Sequence, residues 1–207
     1  MNSSSSKRVI VSEEYVSFQG TGLLAGVRQY FVRLAGCSVK CPLRDNCDQP
    51  ESLGGSGRDV DIREIVRNAE VSGTCWLHIT GGEPLEQKSC EALINLSLKS
   101  GLNVQLQTSG GISFYSEHVH VSVSPKNRHL KVPSPDEVIL VAAKWMTDGF
   151  ALDVAETYKE SPIYVIPEAT NGVFECDMAI GLVDVLHRNG YINARLGLQS
   201  HLVWNIK

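Results

Sequence analysis

Residues 31–50 read FVRLAGCSVKCPLRDNCDQP, and the reading of this stretch decides the fold. Tyr30, Phe31, Val32 and Leu34 form an aromatic and apolar run that suits a pleated strand. The run stops at Gly36, and Cys37, Cys41 and Cys47 follow within eleven residues, separated by gaps of three and five. Three thiolates on one loop at the end of a strand can hold three irons of a cubic four-iron cluster and leave the fourth iron open. An open iron of that kind is chelated by the amino and carboxylate groups of S-adenosylmethionine in radical chemistry. A zinc loop, or cysteines that meet no metal, are the alternatives this stretch leaves standing.

The chain around the loop repeats one arrangement. An extended segment at 9–18 leads through Gln19-Gly20-Thr21-Gly22 to a strand at 29–35, and a Gly- and Ser-rich connection fills 51–58. Strands are expected at 75–80 (CWLHIT), 103–108 (NVQLQT), 118–123 (HVHVSV), 137–143 (EVILVAA) and 163–167 (IYVIP), with a last one at 194–199 (ARLGLQ). Helices are expected at 59–71, 86–100, 148–160 and 175–189, with Asp59 or Asp61 opening the first and Gly101 and Gly190 stopping the second and fourth. Alternating strands and helices imply parallel pairing and α/β architecture. Roughly six βα units in 207 residues suit an incomplete, partial TIM-type barrel, since a full one takes about 250 residues. The cysteine loop, Gly81-Gly82-Glu83-Pro84, Ser109-Gly110-Gly111 and Ser124-Pro125-Lys126 all follow the C-terminal ends of expected strands. In a parallel barrel those ends form one face, so four distinctive segments share one mouth.

Composition narrows the chemistry. Residues 1–8 read as a disordered polar lead without the apolar stretch of a signal peptide, and 9–207 as a single domain. Nineteen basic against 23 acidic side chains give a net charge of −4, which offers no diffuse basic face to a nucleic acid. No apolar run reaches membrane-spanning length. A small-molecule substrate is the default. Of the six cysteines, Cys75, Cys90 and Cys176 lie scattered in apolar segments and read as structural, so the pattern suits a cytoplasmic protein with a metal-binding triplet better than a disulfide framework. His78 reads as a packed strand residue.

With the cysteine loop and Thr80-Gly81-Gly82-Glu83-Pro84-Leu85 both in view, the sequence resembles the radical S-adenosylmethionine superfamily. Within it, the resemblance is to the 7-carboxy-7-deazaguanine synthase family and covers nearly the whole chain. Gln19-Gly20-x-Gly22, the strand Phe31 to Cys37, Val123-Ser124-Pro125-Lys126 and the terminal Arg195-x-x-x-Gln199-x-His201 carry it. The resemblance implies a [4Fe-4S] cluster on Cys37, Cys41 and Cys47. It implies a site for S-adenosyl-L-methionine lined by Asn46, Asp48, Gly82, Glu83, Ser124, Pro125 and Lys126. Glu83 would receive the methionyl ammonium through charge-assisted hydrogen bonds. Phe18, Gln19 and Gly20 would approach a pterin ring, Thr80 would hydrogen-bond it, His201 would share the substrate site, and Arg33 would clamp the substrate carboxylate with its planar fork.

The implied reaction is radical initiation on 6-carboxy-5,6,7,8-tetrahydropterin, followed by ring contraction and loss of ammonia to give 7-carboxy-7-deazaguanine for queuosine-type bases. No side chain is the radical source. A flavodoxin or ferredoxin would supply the electron, and a homodimer is implied. The sequence also departs from the family. The second cysteine gap is five residues where the family has two. Gln49 stands where a threonine hydroxyl helps hold Mg²⁺, a metal that prefers oxygen ligands, and Thr21 and Gln107 stand where the family has glutamates. These departures motivate a related substrate as one alternative. A glycyl-radical-enzyme activase and a non-catalytic homologue are the others.

Overall fold

The computed structural model describes residues 7–170 and 173–206, with Asn46 and Thr170 described by backbone alone. The strands are β1 (Arg8–Phe18), β2 (Arg28–Leu34), β3 (Arg58–Asp61), β4 (Trp76–Gly81), β5 (Asn103–Thr108) and β6 (Val119–Val123), then β7 (Glu137–Ala142), β8 (Ile163–Pro167), β9 (Ala169–Thr170), β10 (Val173–Phe174) and β11 (Ala194–Leu196). The helices are α1 (Ile62–Val71), α2 (Cys90–Lys99), α3 (Asp148–Thr157), α4 (Cys176–Arg188) and the short α5 (Ser200–Val203). A nine-stranded sheet runs in the order β11-β8-β7-β6-β5-β4-β2-β1-β3, and β9 and β10 form a separate hairpin. From β2 to β11 every neighbouring pair is parallel, while β1 is antiparallel to both β2 and β3. The sheet is an open, incomplete barrel, as expected.

Alternation along the parallel strands explains the layering. Val32, Leu77, Ile79, Leu106, Val121, Leu140 and Val165 point to the helix side and form the core. Their neighbours Phe31, Arg33, His78, Thr80, Gln107 and Ile166 point the other way, onto the concave face. Parallel strands covered on both faces read as continuous apolar runs. Here the concave face lines a cavity, and CWLHIT and NVQLQT alternate instead. The helices supply the covering layer. Asp61 caps α1 by accepting from the Arg63 amide at 2.9 Å, and Ile62, Ile65, Val66 and Ala69 form its buried stripe. The Thr147 hydroxyl caps α3 at the Phe150 amide, 3.1 Å.

Three expectations need correction. The expected helix at 59–71 begins as β3, and α1 starts only at Ile62, because Arg8–Val11 of β1 pairs with Arg58–Asp61. That pairing sets Arg8 opposite Asp61 at the start of β1. The β5–β6 and β6–β7 connections contain no helix, so six full βα units overstates the count. Ser109–Gly111 and the proline-bearing 124–136 disfavour continuous helix there. Of the three cysteines read as structural, Cys90 is buried and Cys75 and Cys176 are exposed. No helix among the described residues is long and apolar enough to cross a membrane.

Candidate active site

The C-terminal ends of the parallel strands open into a cavity of about 410 Å³. Phe18, Gln19, Gly20, Arg33, Cys37, Cys41, Cys47, Asp48, Gln49, Thr80, Gly82, Glu83, Ser124, Lys126 and His201 all line it. Thr21 and Gln107, the two departures from glutamate, face the same space. Pro125 is buried but outside the lining, and the side chain of Asn46 lies outside the described residues. Arg195 also stays out: it is exposed, with its guanidinium 6.0 Å from the centre of the Tyr164 ring.

A directional hydrogen-bond chain builds the floor. The Gln19 side-chain oxygen accepts from the amides of Gly20 (2.8 Å) and Thr21 (3.2 Å). Its amide nitrogen therefore donates, to Gln105 Oε1 at 3.0 Å and His78 Nδ1 at 3.2 Å. Gln105 donates onward to the Ser122 hydroxyl at 3.0 Å, and Ser122 donates to Glu137. With Nδ1 accepting, this network assigns the His78 proton to Nε2. Burial drives the His78 pKa down to about 3, so the ring is neutral near pH 7.

An aromatic wall rises beside the floor. Tyr15 and Phe31 stack at 5.1 Å with an interplanar angle of 2°, and Phe31 meets His78 at 4.7 Å. Arg33 lies 5.2 Å over the Tyr15 ring and pairs with Glu13 at 3.1 Å. Among the described residues its buried Nε has no partner.

The cysteine loop forms one rim. Glu86 ties it down, accepting from the Ser38 amide (3.1 Å) and hydroxyl (2.5 Å). The Arg44 guanidinium donates to the Cys37 carbonyl at 3.2 Å. All three thiols are free and half-buried, and burial pushes the Cys37 and Cys47 thiols up. Among the described residues no three His, Cys, Asp or Glu side chains converge on a single-ion site.

Glu83, 2% exposed, has its acceptor positions filled. One oxygen takes the Thr108 hydroxyl (2.7 Å) and the Leu85 amide (3.3 Å), and the other takes the Ser109 amide (2.9 Å) and hydroxyl (2.6 Å). A carboxylate offers about four such positions, so an incoming ammonium reaches Glu83 only if a donor such as the rotatable Ser109 hydroxyl yields. Lys126 donates to the Ser124 hydroxyl at 2.8 Å. Burial pushes its pKa down, and Cys41, Asp48, Cys47 and Cys37 oppose that.

The far wall comes from β7, β8 and the C-terminal segment: Ile139, Val141, Ile166, Glu168, Gln199 and His201. Sequence reading assigned no role to Tyr15 or Glu168. Tyr15 is placed by its antiparallel register opposite Phe31. Glu168 follows from alternation, two residues beyond Ile166.

Comparison with known proteins finds relatives in sequence and in fold. A 7-carboxy-7-deazaguanine synthase of Aquifex aeolicus is 35% identical over 123 residues, which cover 57% of this chain and 55% of that protein. One of Methanospirillum hungatei is 36% identical over 128 residues, covering 61% and 52%. The chain thus spans about half the length of these two relatives. A 7-carboxy-7-deazaguanine synthase of Clostridium acetobutylicum is 27% identical over 223 aligned positions, covering 94% of this chain and 96% of that one. In structure, the chain is similar to QueE from Escherichia coli, with a TM-score of 0.72 at 20% identity over 92% of this chain and 93% of the other. No protein-family model matches. The chain resembles these synthases in sequence and shares the fold of the Escherichia coli protein.

Proposed function

We propose that this chain is a radical S-adenosylmethionine lyase of the 7-carboxy-7-deazaguanine synthase kind. Its substrate on this reading is 6-carboxy-5,6,7,8-tetrahydropterin, and its products are 7-carboxy-7-deazaguanine and ammonia. The observation that carries the reading is the sharing of one cavity by three free thiols, the Gly82–Glu83 turn, Ser124 and Lys126, and the Gln19, Arg33, Thr80 and His201 group.

The residues present fit the cofactors. Zinc draws its ligands to about 2.3 Å from one ion, whereas the corners of an iron–sulfur cubane accept thiolates set apart around a loop. Cys37, Cys41 and Cys47 line one cavity and form no single-ion site among the described residues, which supports the second arrangement over the first. Together the cluster and S-adenosylmethionine would supply one-electron reductive cleavage and a hydrogen-abstracting radical. Gln49 suits a hard cation: its side-chain carbonyl lines the cavity and is buried with no partner among the described residues, an oxygen of the type Mg²⁺ takes.

The chain's own work is positioning and exclusion of water. Arg33 would offer the part of its guanidinium that Glu13 leaves free to the substrate carboxylate, while Glu13 and Tyr15 restrict the group. Thr80 and the polar floor face the ring edges, and Phe31 and His78, tilted by 40° to each other, offer aromatic surface to the ring. His201 and Gln199 close one side.

Anaerobic turnover of reconstituted protein with S-adenosylmethionine, dithionite and the carboxytetrahydropterin tests this. The expected result is 7-carboxy-7-deazaguanine by mass spectrometry. Formation of 5′-deoxyadenosine alone, with the pterin unconsumed, would reject the substrate. Absence of a four-iron signal by EPR would reject the whole reading.

A further inference from the structure

We propose that Glu168 is the specificity-determining acceptor of the site, pairing with the adjacent N–H donors of an amidine-like ring edge on the substrate. The inference rests on the reading of the cavity as a pterin site and adds a residue to it.

Among the described residues three carboxylates line the cavity: Asp48, Glu83 and Glu168. Glu83 is filled by four protein donors. Asp48 adjoins Cys47 on the thiol loop. Glu168 stands on the opposite part of the sheet, where β7, β6, β5 and β4 separate β8 from β2. Along β8, Ile163 and Val165 enter the core, while Ile166 and then Glu168 face the cavity. The backbone of Glu168 is fixed on both sides. Its amide donates to the Ala142 carbonyl at 3.0 Å, and its carbonyl accepts from the Glu175 amide at 3.0 Å. Its carboxylate has no hydrogen-bond or ionic partner among the described residues. A half-buried carboxylate on a fixed backbone, with no partner among the described residues, is poised for a ligand donor.

The rest of the cavity defines what that donor is. The remaining charged lining groups beside the carboxylates are Arg33, Arg44 and Lys126, which suit anionic parts of ligands. Thr21 and Gln107 are neutral, so neither offers a charged acceptor to ring N–H groups. Two parallel N–H donors match the two oxygens of a carboxylate, and such charge-assisted pairs are roughly twice as strong as neutral ones. A 2-amino group beside a ring N–H has that geometry.

The test pairs two ligands with two variants. 6-Carboxypterin and 6-carboxylumazine differ at the 2-position, amino in one and oxo in the other. Both are titrated anaerobically against reconstituted wild type, Glu168→Gln and Glu168→Ala, with the cluster spectrum and Tm recorded for each protein. Wild type is expected to favour the pterin by about 10-fold or more, and both variants to lose that preference with cluster spectrum and Tm unchanged. Retention of the wild-type preference in both variants overturns the inference. Equal affinity of wild type for both ligands also overturns it and leaves the pterin reading intact. Binding of neither ligand by wild type removes the pterin reading, and this contact with it.

Discussion

Glu137 opens β7 at 1% exposure and holds a part of the site it never touches. It accepts from the Leu23 amide at 2.5 Å, from His120 Nε2 at 3.2 Å and from the Ser122 hydroxyl. The turn that carries Gln19, Gly20 and Thr21 into the cavity is therefore pinned on one carboxylate. Glu137→Ala leaves the buried Ser122 hydroxyl without an acceptor, at about 1–3 kcal/mol, and releases the half-buried bond from the Leu23 amide. Urea unfolding is expected to show a loss of about 2 kcal/mol, with Glu137→Gln losing less. A loss below about 1 kcal/mol for Glu137→Ala would show that water replaces the carboxylate. His78 sets a pH dependence of definite sign. Its folded pKa of about 3 lies below the ordinary 6.5, so between those values the unfolded chain binds more protons. The stabilisation is fully present above pH 6.5 and is lost as pH falls towards 3. Burial shifts His201 in the same direction. From pH 7 to pH 5, His78 alone should lower stability by about 2 kcal/mol, and His78→Gln should lose that part of the slope in urea unfolding.

At the scale of elements, the turn after β4 is seated on the β2 side by backbone bonds. The Gly82 amide donates to the Leu34 carbonyl at 2.8 Å, the Glu83 amide to Gly36 at 3.0 Å, and the Gly36 amide to Ser52 at 2.8 Å. A methyl on Gly82 would stand 1.9 Å from the Gly36 carbonyl oxygen and 2.8 Å from that of Ser52. Backbone cannot rotate away as a side chain can, so Gly82→Ala should cost about 2–4 kcal/mol and displace the thiol loop. Gly181 inside α4 is the control: nothing lies within 4 Å of an added methyl, and Gly181→Ala should raise stability by about 0.5–1 kcal/mol. Thermal unfolding of the two variants separates these outcomes. The same elements show what the sequence made legible. CWLHIT, NVQLQT and HVHVSV declared themselves because one face meets helices and the other a polar cavity. Arg58–Asp61 did not. Four residues with one buried apolar side chain, Val60, become a strand only by pairing with β1, a partner about fifty residues away in the chain. Tyr15 was hidden for the same reason, since register with Phe31 decides where its ring lies.

On the scale of the molecule, the sheet does not close on itself: β11 and β3 remain its two edges. Its mouth is bridged by the segment after β11. The Gly197 amide donates to Val165 at 2.8 Å, the Gln199 side chain to Pro167 at 3.1 Å, and the Ser200 amide to Gly20 at 2.8 Å. His201 then packs on Gly20 so closely that a methyl there would lie 2.0 Å from its Nδ1. The bridge joins β8 to the turn after β1, so the cavity wall near His201 is a seam of a few hydrogen bonds. Regions with few buried contacts open at lower free energy than the core, so the cavity is expected to open at the seam. Deletion of residues 197–207 should leave the core untouched, because its buried residues all precede the deletion. The truncated chain is expected to keep its far-UV circular dichroism and the loop that carries Cys37, Cys41 and Cys47. Its affinity for 6-carboxypterin should fall about 10-fold or more, since the His201 and Gln199 wall is gone. Gly20→Ala should weaken binding in the same direction, by pushing His201 off its seat. Unchanged affinity in the truncated chain would mean that the segment covers the cavity without touching the ligand, and the access route would then lie over the cysteine loop.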